Sequence, residues 1–112
     1  MAIRRDPWIR NGTAVRVIDG DSCVINVDLG YRVWHETRVR LLGVDTPERG
    51  ETGWAEARDN LATVIPAGTP VVVTTTGPDK YGDRWLGTVQ LLDGRDCSTV
   101  QIVTGMGVPY TP

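Results

Sequence analysis

Arg38-Val39-Arg40-Leu41-Leu42-Gly43-Val44-Asp45-Thr46-Pro47-Glu48 is the stretch from which the fold can be worked outward. Val39 and Leu41 alternate with Arg38 and Arg40, the two-residue period of a strand with one face turned inward. Pro47 has no N–H to give a sheet ladder and pushes Thr46 out of helical geometry, so the strand stops near there. Arg40, Asp45 and Glu48 are thereby set at one strand end, with opposite charges close together. Carboxylates beside an arginine suit a phosphate and a divalent cation. A solvated strand end carrying a surface ion pair is the plainer alternative.

Upstream, residues 1–12 contain the breakers Pro7, Asn11 and Gly12 and are expected to be a flexible arm. A first strand over 13–18 ends at the turn Asp19-Gly20-Asp21, and a second follows in which Cys23, Ile25, Val27 and Leu29 alternate with Ser22, Val24, Asn26 and Asp28. Asp21 shares the parity of the apolar set, so its carboxylate should point toward the core side, where it needs a partner or a metal. The third strand spans 33–44. Downstream, Trp54, Ala57, Leu61, Val64 and Ile65 recur at helical spacing, and Pro66-Ala67-Gly68 ends that helix. The β-branched run 70–76 is a fourth strand, 84–92 a fifth, and 98–104 a short helix capped by Ser98 and closed by Gly105.

Three meandering strands, a helix, two strands and a short helix give a mainly β fold. It is a five-stranded OB-type Greek-key barrel, with one helix between strands 3 and 4 and a short helix after strand 5. The barrel domain spans 13–107, and 108–112 form an irregular tail. With 112 residues, 40% hydrophobic, the chain holds one modest core. It has no apolar run of membrane length and no signal-type apolar segment after Arg4-Arg5, so the default compartment is cytoplasmic. A mature chain that had shed a signal would be secreted instead. The formal charge of −2 excludes a globally basic surface, so phosphate binding must come from a few local arginines and a metal. Cys23 and Cys97 lack metal-type spacing and are expected to be buried free thiols.

Three blocks in order resemble the staphylococcal-type nuclease (thermonuclease, SNase-like) family. They are Val17-Ile18-Asp19-Gly20-Asp21-Ser22, Arg40-Leu41-Leu42-Gly43-Val44-Asp45-Thr46-Pro47-Glu48, and Asp79-Lys80-Tyr81-Gly82 followed by Arg84. The resemblance implies a calcium-dependent endonuclease on an OB-type barrel, hydrolysing DNA, with RNA as a second substrate, to 3′-phosphates. By position it implies that Asp21, Asp45 and the Thr46 carbonyl hold Ca²⁺, that Glu48 orients or deprotonates the attacking water, and that Arg40 and Arg84 grip the phosphate. Lys80 and Tyr81 match nucleotide-contacting positions, and Tyr110 corresponds to a further tyrosine there.

The chain also departs from that pattern. Asp83 intervenes between Gly82 and Arg84, where the family runs Tyr-Gly-Arg. In a strand this would send Arg84 to the wrong face unless a bulge or longer turn absorbs it. Ser22 replaces a common threonine. The family's long C-terminal helix has no counterpart before Pro112, which leaves room for a partner or a second copy in its place. The acidic balance and Asp83 favour the competing expectation, a catalytically weak nucleic-acid or protein-binding module on the same barrel.

Overall fold

The computed structural model describes residues 8–111. The element order is β1 (Trp8–Asp19), β2 (Ser22–Asp28), β3 (Trp34–Leu41), β4 (Val44–Asp45), α1 (Trp54–Val64), β5 (Pro70–Pro78), β6 (Trp85–Leu91), α2 (Cys97–Val103) and β7 (Val108–Pro109). Five strands close into a barrel in the order β1-β2-β3-β6-β5, and β1 pairs with β5 to complete the ring. All of these pairings are antiparallel except that between β3 and β6. With α1 between the third and fourth barrel strands and α2 after the fifth, this is the OB-type barrel that the sequence order implies.

Barrel closure depends on β1 being long enough to serve two neighbours. Its first half pairs with β5, from Trp8 opposite Thr75 to Thr13 opposite Pro70, and its second half pairs with β2. Residues 8–12, expected in a flexible arm, are therefore strand; residues 1–7 of that arm lie outside the described residues. The cause is visible at Gly12. A Cβ there would sit 2.7 Å from Ile25 Cγ2 and 2.9 Å from the Asn26 carbonyl oxygen, so glycine permits a close approach of strands and breaks nothing. Of the tail, expected to be irregular, Val108 and Pro109 are strand: Val44 pairs with Pro109 and Asp45 with Val108 in a small ribbon of β4 and β7.

The core forms where the period-2 residues of the strands meet the helices. Ile25, Val39, Leu41, Val71, Val73 and Val89 point inward and are almost wholly buried, and Leu61 of α1 and Ile65 just beyond it pack among them. Burying a side chain of this size contributes about 1.5–3 kcal/mol. Asp96, not Ser98, caps α2: its carboxylate accepts from the Thr99 N–H at 3.1 Å. Ser98 is buried and donates its hydroxyl to the Leu42 carbonyl at 2.6 Å, tying α2 to the turn after β3.

Cys23 on β2 and Cys97 on α2 are buried free thiols within this core. Burial pushes the Cys97 thiol up to about 12, with the Asp96 charge adding to it. Burial also pushes Cys23 up, with Cys97 a smaller contributor. Because both shifts are upward, the stability they carry is full below the ordinary thiol range near ~8.5 and is lost as pH rises toward the folded values. The urea midpoint is therefore expected to fall between pH 7 and pH 10.5, and to fall less in Cys97→Ala. An equal fall in that variant would assign the alkaline loss to other groups.

Candidate active site

The site is assembled by strand register. Ser22, the first residue of β2, lies opposite Arg40 on β3, and Arg40 lies beside Leu86 on β6. The turn ahead of β2 supplies Asp21, and the residue ahead of β6 is Arg84. Three sequence blocks far apart along the chain thus arrive at one end of the barrel.

Arg40 is the hinge of the arrangement. Its Nη1 donates to the Leu41 carbonyl and, at 3.0 Å, to the Val44 carbonyl, bracing the turn between β3 and β4. Its Nη2 stands 3.4 Å from Asp21 Oδ2 and 3.6 Å from Asp45 Oδ1. Asp21 is buried, as its parity implies, and Asp45 is exposed. Asp21 Oδ2 also accepts the Thr46 N–H at 3.2 Å, so the backbone of Thr46 is held against the same carboxylate.

Glu48 is exposed beyond Pro47, and its N–H donates to the Glu51 carboxylate at 2.6 Å. Among the described residues its own carboxylate takes no hydrogen bond or ion pair. It borders the cleft that also presents Asp21, Arg40, Asp45 and Arg84.

Arg84 reaches the site although Asp83 intervenes. The inserted residue is absorbed in a loop, outside the ladder of β6. The loop is closed where the Asp79 N–H donates to the Arg84 carbonyl at 2.8 Å, and Gly82 turns it at φ 77°. Asp83 itself is exposed. Arg84 donates from Nε to Asp79 Oδ2 at 2.9 Å and from Nη1 to the Ser22 hydroxyl at 3.0 Å. Burial alone would raise the Asp79 carboxyl. Hydrogen bonds from Arg84 and the Gly82 and Tyr81 N–H groups, with the Arg84 charge, outweigh it and hold the group below the usual carboxylate range.

The three residues matched to nucleotide contacts border a wider adjoining cleft of about 570 Å³, which also contains Arg40, Glu48 and Arg84. That is within the range of roughly 300–1,000 Å³ common for ligand sites. Lys80 lies over its neighbour Tyr81, with Nζ 5.1 Å from the ring centre. Tyr110 is carried in by the β4–β7 ribbon: its N–H donates to the Gly43 carbonyl at 3.1 Å, and its ring lies 6.0 Å from the Arg40 guanidinium.

The donors matched to calcium are all oxygens, which suits a hard cation. Asp21 and Asp45 flank one point, the Arg40 Nη2, and Thr46 is tied to Asp21. Among the described residues no three His, Cys, Asp or Glu side chains gather as a ready-made metal cluster. A divalent cation here would find two carboxylates, Asp21 and Asp45, with the Arg40 guanidinium standing between them, and would take its remaining oxygens from backbone carbonyl and water.

The motif reading did not assign Ser22, Asp79 or Gln101 a part. Ser22 and Asp79 hold Arg84. Gln101, fully buried on α2, donates to the Gly20 carbonyl at 2.7 Å and the Ala57 carbonyl at 2.9 Å, anchoring the turn that presents Asp21. Asp79 was legible as part of its block; Gln101, in an otherwise ordinary helix, gave no signal.

No family model matches the chain. Over 78 residues it is 38% identical to Protein ParB of Escherichia coli, a stretch covering 70% of this chain. That stretch spans 40% of the length of the curated relative.

Proposed function

We propose that the chain is an SNase-like, Ca²⁺-dependent phosphodiesterase that cuts DNA, and RNA as a second substrate, within the strand. The observation that carries this reading is the convergence of Asp21, Arg40, Asp45, Glu48 and Arg84 on one cleft from three separate sequence blocks. Nucleic acid is the partner that such a barrel and a cleft bordered by Lys80, Tyr81 and Tyr110 fit. The similarity to ParB brings a name and no chemistry.

A phosphodiester is anionic and repels hydroxide, so it must be neutralised before attack. In the proposed site Arg40 and Arg84 hydrogen-bond the phosphate oxygens through planar guanidinium groups and stabilise the charge that grows on them. Glu48, its carboxylate free of partners among the described residues, accepts the proton of the attacking water. Asp21, Asp45 and the Thr46 carbonyl would hold Ca²⁺. When bound, the cation supplies further charge neutralisation at the phosphate and helps place the water.

The test is cleavage of a labelled single-stranded DNA with Ca²⁺, against chelator and against Glu48→Gln. Cleavage is expected with Ca²⁺ alone, to vanish with chelator, and to fall about 100-fold in Glu48→Gln. The pairing of Arg40 and Arg84 with carboxylates favours the second reading, a binding module without catalysis. DNA binding by well-folded protein with no Ca²⁺-dependent cleavage would decide for it.

A further inference from the structure

We infer that Arg49 is a further phosphate-binding residue that engages a backbone phosphate next to the scissile one, and that Trp54 positions it. The inference rests on the proposed reading of the cleft as a phosphodiester site and names what that site selects: a strand with more than one phosphate.

Three arginines border the polar cleft: Arg40, Arg49 and Arg84. Arg40 lies between Asp21 and Asp45, and Arg84 is bonded to Asp79, so much of their charge is answered within the protein. Arg49 differs. Among the described residues it has no carboxylate within ion-pair distance, although Asp19, Asp21, Asp45 and Glu48 border the same cleft. Its guanidinium rests instead over the Trp54 indole, 5.0 Å from the ring centre. An aromatic face orients a cation without neutralising it and leaves its N–H groups free to donate.

The ring itself is fixed. Trp54 Nε1 donates to Asp19 Oδ1 at 2.7 Å, so the indole is pinned to the turn that presents Asp21. Arg58 lies 4.5 Å from the same ring, but it is paired with Asp59 at 2.9 Å. Arg49 immediately follows Glu48 in the chain. On the rim of the same cleft and one residue beyond Glu48, this guanidinium is offered to a neighbouring phosphate of the same strand. A substrate with a single phosphodiester offers nothing there.

Two measurements test this. In the first, kcat/KM is compared for a thymidine octamer and for two thymidines joined by one phosphodiester. Arg49→Ala is expected to shrink the octamer-to-dimer ratio about tenfold, mainly through the octamer KM. Trp54→Leu should do the same, and Trp54→Phe, which keeps a ring under the guanidinium, should retain most of the ratio. In the second, octamer binding is measured against salt in a Glu48→Gln background, where Arg49→Ala should reduce the slope by about 0.7, one phosphate contact on a single strand. A ratio or a slope that stays at its Arg49 value overturns the inference. If the unaltered protein binds the octamer but cuts neither substrate, the nuclease reading falls and the slope alone decides Arg49. If it does not bind the octamer even at low salt, both fall.

Discussion

Arg40→Lys is expected to lower Ca²⁺-dependent cleavage of single-stranded DNA by about 1000-fold, the upper end of what loss of one preorganised donor costs. The reason lies in the two tasks of one guanidinium. Nη1 braces the β3–β4 turn through the Leu41 and Val44 carbonyls, while Nη2 faces Asp21 and Asp45. A lysine carries one ammonium and cannot hold the turn and face a phosphate together. Folding should distinguish this loss from collapse of the site. Arg40 and Asp21 side chains are 16% and 11% exposed, a largely buried pair. Lysine keeps the charge beside Asp21 but gives up hydrogen bonds to the turn, and should cost about 1.5–3 kcal/mol, less than removal of the charge. Arg40→Met strands the Asp21 carboxylate and should cost about 3–5 kcal/mol. A lysine variant retaining more than a tenth of the rate would show that the phosphate is not gripped here.

That division between catalysis and support also separates what the sequence discloses from what it withholds. Val39 and Leu41 alternate with Arg38 and Arg40 because one face of β3 is core, so the strand, the inward Asp21 and the gathering of charge at the strand end were all legible in pattern. The first half of β1 was not. Trp8 to Asn11 are all exposed and Gly12 is the first buried position, so it carries no apolar alternation, and it is a strand because β5 offers a partner. The β4–β7 ribbon is too short to leave a period at all, yet it places Asp45 and Tyr110. The Asp83 insertion posed a question that pattern alone could not answer, since a bulge and a longer turn look alike in sequence. The Asp79 carboxylate answers it by gathering the Tyr81 and Gly82 N–H groups and the Arg84 guanidinium around one side chain. Ser98 and Asp96 are both good helix caps, and burial of Ser98 against Leu42 decided between them.

Gln101→Leu, although it lies outside the apolar core, is expected to cost about 2–4 kcal/mol. The substitution nearly preserves volume, so cavity formation contributes little. What it removes is the side-chain amide that satisfies the buried Gly20 and Ala57 carbonyls and whose oxygen accepts from Asn60 Nδ2 at 2.6 Å. The turn is tightly enclosed: a Cβ on Gly20 would lie 2.9 Å from Thr46 Oγ1 and 3.1 Å from Gln101 Nε2. For a domain of this size, the loss corresponds to a fall in Tm of roughly 10–25 °C. Urea unfolding should show a lower midpoint with an unchanged slope, because the surface exposed on unfolding is the same. Gln101→Glu separates the geometry from the chemistry. It keeps the acceptor for Asn60 but turns the donor into a second acceptor facing two carbonyls, so it should destabilise at least as much as leucine at neutral pH and recover as the carboxyl protonates in acid. A glutamate variant as stable as the native chain at pH 7 would mean that the two carbonyls do not depend on the amide. The turn carrying Asp21 would then be held by the barrel strands alone.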